Sequence, residues 1–225
     1  MTESKCQKDD SHFSGSGPFF HFDAFSLKIF LGGYEMSKTN AWHLRDIILL
    51  TLIAIFFGVI YWVIGPLYNL LTVALTPVGL GPAANDILMG VWVMAGPLAG
   101  YVFRKVGAAT LGEFLGAVVE MFFGGQWGAS TMISGVVQGL GSELGFALTG
   151  YKRYDWTSLG LSVVTTTIVT FGWDLFRNGY AAYHIGLLVA LFVIRLASTF
   201  IFAGVLTRAI TNLLDRTHLL SRRSA

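Results

Sequence analysis

Three glutamates, Glu113, Glu120 and Glu143, lie in a predominantly apolar stretch that covers residues 111–151. A charged side chain at the centre of a bilayer costs roughly 2.5–3.5 kcal/mol even on the lenient insertion scales. We therefore expect all three to face a protein interior. There, a carboxylate can bind a cationic ligand, pair with a basic side chain, or keep its proton and form hydrogen bonds between helices.

Two predicted helices and the turn between them position these carboxylates. Glu113 and Glu120 are seven residues apart and so share one helix face. A polar stripe with a spacing of four marks the next helix: Ser134, Gln138 and Ser142. The glycine-rich turn 124–128 separates the two helices and presents Gln126 and Trp127. The unit predicts two walls and the rim of a polar pocket.

The composition is that of an integral membrane protein. Of 225 residues, 54% are hydrophobic and 12% are charged, against about 25% charged in soluble domains. The net charge of +2 is small and the basic residues cluster at helix ends, so a nucleic-acid partner is not indicated. Cys6 is the only cysteine, which excludes an internal disulfide.

Hydropathy predicts an all-α bundle of six transmembrane helices. The predicted spans are 47–64, 87–103, 108–123, 129–148, 159–176 and 181–206. Pro66, after Gly65, is expected to end or kink the first span, and a loop is predicted over 68–86. The second span should be kinked at Gly96 and Pro97.

The distribution of basic residues predicts that both termini are cytoplasmic and that the protein lies in the cell membrane. With six spans, one face carries Arg45, Arg104, Lys105, Lys152, Arg153, Arg208, Arg216, Arg222 and Arg223. Only Arg177 falls on the other face. Since cytoplasmic loops are enriched in Lys and Arg, the first face is the cytoplasmic one.

Three regions are expected along the chain. Residues 1–44 form an N-terminal cytoplasmic segment, either partly disordered or, over 1–35, an upstream extension of a protein that starts at Met36. Residues 45–208 form the transmembrane domain that binds the substrate, and 209–225 form a basic cytoplasmic tail.

Helix direction and a rise of about 1.5 Å per residue place one set of polar and aromatic side chains in the outer half of the membrane. These predicted ligand-binding residues are Trp92, Glu120, Gln126, Trp127, Gln138 and Asp174. Arg195 is the only basic residue in a span core and can neutralise one carboxylate, so a cationic or amine-bearing ligand is favoured. For Glu113 and Glu143 a structural role is the alternative to ligand binding, and both tryptophans also suit an interfacial belt.

Pairs of small residues spaced by four predict close helix packing. The pairs inside the bundle are Gly96 and Gly100, Gly112 and Gly116, Gly135 and Gly139, and Gly141 and Gly145. Ala54 and Gly58 lie in wholly apolar surroundings. They are candidates for docking a second membrane subunit, with internal packing as the alternative.

Several kinds of chemistry lack a sequence signal. There is no G-x-x-x-x-G-K-[ST] motif for ATP and no H-E-x-x-H or Cys/His cluster for zinc. No nucleophile and base occur at a useful spacing. We therefore expect no catalytic residue, no metal site and no cofactor.

Four strings resemble the YkoE-like membrane proteins: MGVWVMAGPLAGY at 89–101, GE at 112–113, GQWG at 125–128 and QGLGSE at 138–143. These proteins are S components, the subunits of energy-coupling factor transporters that bind the substrate, and are associated with thiamin and its hydroxymethylpyrimidine precursor. The resemblance covers about residues 45–210. It implies six helices, capture of the vitamin from outside, and docking on a transmembrane coupling subunit driven by two ATPases.

The leading hypothesis is thus a subunit that binds thiamin or hydroxymethylpyrimidine, with Glu120 facing the aminopyrimidine or the cationic ring. One alternative is a standalone proton-coupled carrier for an organic cation, in which Glu113 and Glu143 titrate. An intramembrane enzyme is the other.

Overall fold

The computed structural model describes residues 42–216, and every regular element in that range is helical. The helices are α1 Leu44–Leu75, α2 Ala83–Trp92, α3 Ala95–Phe103, α4 Ala108–Phe122, α5 Ser130–Leu148, α6 Trp156–Arg177, α7 Ile185–Thr199 and α8 Thr207–Arg216. A π-helical turn, Phe200–Leu206, joins α7 to α8. Short 3₁₀ turns occur at Thr76–Val78 and Tyr180–Ala182. Of the predicted terminal regions, only 42–44 and 209–216 fall within the described residues.

Helix α1 is longer than the sequence indicated. It continues through Pro66 to Leu75, so the loop predicted over 68–86 is wrong for most of its length. Proline removes one backbone hydrogen bond, but a helix in an apolar environment keeps all its others, and unpaired peptide groups in lipid cost several kcal/mol each. As a result Tyr68 lies on α1, while Asn85 and Asp86 lie in the first turn of α2.

The second predicted span is interrupted just before Pro97. Helix α2 ends at Trp92 and α3 begins at Ala95, so Val93 and Met94 form the break. Proline at 97 cannot donate a hydrogen bond back to residue 93, which allows the ladder to open there. Two side chains accept hydrogen bonds from the first N–H groups of α3, which have no partner within that helix. The hydroxyl of Tyr61 accepts from Ala95 N at 3.0 Å, and Glu113 Oε2 accepts from Gly96 N at 2.7 Å.

The paired glycines pack helices closely, as predicted. A Cβ atom added at any of the eight would come within about 3.2 Å of a neighbouring atom, as at Gly135 beside Ala117. Gly58 behaves in the same way, because an added Cβ would lie 2.5 Å from Cβ of Val119 on α4. Ala54 is also buried, at 2% exposure. The structure therefore places Ala54 and Gly58 inside the bundle, which is the internal-packing alternative.

Within the described residues, four helical segments are long and apolar enough to cross a membrane. They are Leu44–Val78, Ala83–Phe103, Trp156–Arg177 and Ile185–Leu214. The six-span prediction needs α4 and α5 to cross as well. Helix α4 has 15 residues and is about 22 Å long, shorter than a ~30 Å hydrocarbon core. The chain is a membrane protein that is all-helical over residues 42–216, and many large apolar side chains are exposed on the outer surface of this part, among them Leu52, Phe56 and Val63.

Candidate functional site

A cavity is lined by residues of α1, α2, α4, α5 and α6 and by the turn between α4 and α5. Its volume, with the part open to solvent included, is about 690 Å³. Five of the six residues predicted to bind a ligand line it together: Trp92, Glu120, Trp127, Gln138 and Asp174.

Glu120 is the carboxylate left open to a ligand. It is 4% exposed and lies on α4, two residues before the helix ends. Within residues 42–216 its carboxylate has neither an ion pair nor a hydrogen bond; the ion pairs there belong to Lys105 and Arg195. A buried carboxylate is normally paired or hydrogen-bonded. Its position in the cavity wall therefore points to a partner that enters from the cavity.

Three aromatic rings form one side of the cavity. The centroids of Trp92 and Trp127 are 5.2 Å apart and the rings meet edge to face, at 88°. Tyr68 lies 5.6 Å from Trp92 and 5.4 Å from Trp127. Trp92 is 6% exposed and Trp127 is half-buried. Edge-to-face packing fixes the orientation of each ring, so the cavity presents a preformed aromatic wall.

Gln126 does not line the cavity, unlike its neighbour Trp127. Its side chain is exposed, and its Oε1 accepts a hydrogen bond from Asn69 Nδ2 at 2.8 Å. This contact ties the turn between α4 and α5 to α1. Gln126 is thus placed to position the turn that carries Trp127. Gln138 does line the cavity, where its Nε2 contacts the sulfur of Met89 at 3.9 Å.

Asp174 also lines the cavity, but its carboxylate is already engaged. Arg195 donates to Asp174 Oδ2 at 2.6 Å, and Asn85 donates to the same oxygen at 2.9 Å. Asn178 donates to Oδ1 at 3.0 Å. Compared with Glu120, Asp174 therefore has little capacity left for a ligand.

Arg195 pairs with two carboxylates, whereas the sequence suggested one from among Glu113, Glu120, Glu143 and Asp174. Its Nε donates to Asp86 Oδ1 at 2.6 Å, and Tyr180 donates to the other oxygen of Asp86 at 3.0 Å. Asp86 falls in the loop predicted over 68–86 and is therefore not among the carboxylates predicted to lie in the membrane. Arg195 and Asp86 are fully buried, and the group joins α2, α6 and α7.

Glu113 and Glu143 both hold the starts of helices. Glu113 accepts from the first turn of α3, as described above. Glu143 Oε1 accepts from Gly107 N at 2.7 Å, and its Oε2 accepts from Ala109 N and Thr110 N at 3.0 and 3.1 Å. A carboxylate at a helix N-terminus satisfies free N–H groups and complements the helix dipole. These contacts support the structural alternative for both residues.

The sequence missed several lining residues. Tyr68 and Asn85 fall in the loop predicted over 68–86, so neither is predicted to line the pocket. The available signal was that Tyr68 is seven residues after Tyr61 and therefore on the same face of a continuous helix. Thr131, Trp173 and Arg177 also line the cavity. For Trp173 the available signal was its position next to Asp174.

Comparison with known proteins identifies the family. Residues 45–169 match a family model described as ABC-type cobalt transport system, permease component. The Bacillus subtilis (strain 168) protein named "Putative HMP/thiamine permease protein YkoE" is 35% identical over 183 residues, covering 81% of this chain and 89% of that protein. This chain belongs to the YkoE-like S components of energy-coupling factor transporters. A crystal structure of an S component of such a transporter covers 82% of this chain and 91% of that one, with 34% identity and a TM-score of 0.75.

Membership confirms the resemblance carried by the four sequence strings. The relatives of this S component are transport proteins rather than enzymes. The fold likeness also shows that the helical arrangement is that of a solved S component.

Proposed function

We propose that this S component captures thiamin or its hydroxymethylpyrimidine precursor from outside the cell for uptake driven by ATP. The observation that carries the proposal is the buried Glu120 carboxylate, which has no partner among residues 42–216 and lines a cavity with an aromatic wall. The name of the Bacillus subtilis relative supports the same cargo.

The chemistry of the cavity matches that of the cargo. Glu120 would accept a hydrogen bond from the exocyclic amine of an aminopyrimidine or balance the charge of a thiazolium ring. Trp127, with Trp92 and Tyr68 behind it, would contact the flat ring, and cation–π attraction contributes about 2 kcal/mol when the pair is desolvated. Gln138 would bond a ring nitrogen or the hydroxyl group. Asp174, which is paired with Arg195, would contribute to the shape and the electrostatic potential of the cavity wall without bonding the cargo directly.

The description of the matching family model names cobalt transport, so a metal ion is the alternative cargo to an organic ring. Within residues 42–216 no group of three His, Cys, Asp or Glu side chains is placed to hold a metal ion. The aromatic wall positively favours an organic ring, because indole and phenol rings contact flat π systems.

The same proposal includes six spans, both termini in the cytoplasm, a transmembrane coupling subunit and two ATPases. Basic groups gathered at one end of the bundle support this orientation. Lys105 pairs with Asp46 at 2.5 Å, and Arg208 lies over the ring of Tyr101 at 5.3 Å. Since Ala54 and Gly58 are buried, the exposed side of α1 is left to meet lipid or the coupling subunit.

The standalone proton-coupled carrier receives less support. It needs Glu113 and Glu143 to exchange protons during transport. Each of them instead accepts hydrogen bonds from backbone N–H groups at a helix start, which holds both in place.

The deciding experiment compares thiamin binding by the wild-type chain and Glu120→Gln. We expect the substitution to weaken binding at least tenfold, because a charge-assisted hydrogen bond contributes about 1.5–3 kcal/mol. Isothermal titration of the detergent-purified protein measures the change.

Glu143→Gln is the matched control. It makes the same chemical change at a carboxylate bonded to the start of α4, so it should lower thermal stability and leave thiamin affinity unchanged. Equal affinity of Glu120→Gln and wild type would remove Glu120 from the site and, with it, the main support for this cargo.

A further inference from the structure

Arg177 is a cation in the cavity lining that the proposed cargo does not use. It is the last residue of α6. Its guanidinium donates to the hydroxyls of Ser134 and Ser130 on α5, the latter at 3.0 Å. None of the ion pairs within residues 42–216 includes Arg177. Its guanidinium is therefore bonded to hydroxyl groups rather than to a carboxylate, although Asp174 lies one turn before it on α6.

Two further hydrogen-bond donors lie beside it. The Nε1 atom of Trp173 is buried without a partner in the described part of the chain, and so is the Oγ1 atom of Thr131. Both residues line the cavity, and Thr131 is 7% exposed. Trp173 is one helical turn before Arg177, and Thr131 is one turn before Ser134, which Arg177 contacts. The three residues therefore belong to one part of the lining.

The start of α5 reinforces the preference of this region for an anion. Its first turn contains no acidic residue, and its N-cap residue, Ala129, provides no side-chain cap. The N-terminal end of a helix carries a partial positive charge of about half a unit. Together with Arg177, it places positive charge at this part of the cavity. The lining carboxylate of Asp174 is paired with Arg195, and that of Glu120 is in none of the ion pairs within residues 42–216.

From this arrangement we propose a subsite for a phosphate monoester, formed by Arg177, Thr131 and Trp173. The inference rests on the proposed function and narrows its cargo class. The preferred ligand is a compound with a cationic or amine-bearing heteroaromatic ring, placed near Glu120, and a phosphate tail, placed near Arg177. Guanidinium groups bind phosphate oxygens through two parallel hydrogen bonds, which neutral hydroxyls cannot match.

The test compares thiamin with thiamin monophosphate. Tryptophan fluorescence quenching is measured on the full chain in a phosphate-free, non-ionic detergent buffer. We expect the wild-type protein to bind the monophosphate at least tenfold more tightly than thiamin. Arg177→Gln should reduce that ratio to near one by weakening monophosphate binding alone. Inorganic phosphate should compete with the monophosphate and not with thiamin.

Arg153→Gln is the matched control, because it removes an exposed arginine of the α5–α6 loop, which is not part of the lining. It should preserve the wild-type ratio. The subsite is refuted if the wild-type protein binds both compounds equally or if Arg177→Gln weakens both to the same extent. If thiamin binding depends on Glu120 but the phosphate has no effect, the subsite fails and the proposed function survives. If neither compound binds, both fail.

Discussion

At the scale of single residues, the useful distinction is between buried carboxylates that the fold bonds through at least one oxygen and Glu120, which has no bond within residues 42–216. Hydropathy and spacing predicted that Glu113, Glu120, Glu143 and Asp174 avoid lipid, and all four are buried. Sequence could not sort them, because pairing depends on contacts between distant segments. Asp86 and Arg195, for example, are 109 residues apart along the chain and form an ion pair.

The aromatic wall gives a prediction at the same scale. Trp127→Ala should weaken thiamin binding about tenfold, since it removes one face of the wall and its cation–π contribution. Trp62→Ala is the matched control. Trp62 is 43% exposed on α1, where its ring meets Phe123 at 6.0 Å, and it does not line the cavity. Isothermal titration compares the two variants. A loss of affinity in both, or in neither, would argue against ring contact at Trp127.

At the scale of helices, the sequence located the apolar segments but misjudged where they end. The prolines did not mark the helix ends. Pro66 lies inside α1, which continues past it, and the interruption between α2 and α3 precedes Pro97 by three residues. A proline alone does not say whether neighbouring elements supply partners for the peptide groups it frees. At the break before Pro97, Tyr61 and Glu113 supply these partners by accepting hydrogen bonds from the start of α3.

The ion-pair group of Asp86, Arg195 and Asp174 holds three helices together, so its loss should lower the free energy of unfolding. Arg195→Leu leaves two buried carboxylates without their cation and should destabilise the protein by about 3–5 kcal/mol. Thermal unfolding in detergent measures the loss. Adding Asp86→Asn and Asp174→Asn to the same chain removes the uncompensated charges and should recover part of it. An unchanged melting temperature in Arg195→Leu would show that the group contributes nothing to holding α2, α6 and α7 together.

At the scale of the whole molecule, the cavity is lined by segments that are far apart in the sequence. Tyr68 comes from the far part of α1, Trp127 from the turn after α4, and Asp174 and Arg177 from the last turn of α6. The proposed topology brings these parts to the outer side of the membrane. The α5–α6 loop, with Lys152 and Arg153, would then face the cytoplasm. Function therefore depends on orientation, because a mouth on the wrong side could not capture an external vitamin.

Cysteine labelling on intact cells tests that orientation. Cys6 is the only native cysteine, so Cys6→Ser provides a thiol-free background. Ala129→Cys introduces an exposed thiol beside the cavity turn, and Lys152→Cys introduces one in the α5–α6 loop. A membrane-impermeant maleimide should label the first variant in intact cells, and the second only after the cells are broken open. The reverse pattern would place the cavity mouth in the cytoplasm, which would rule out capture from outside while leaving the fold and the cavity itself unchanged.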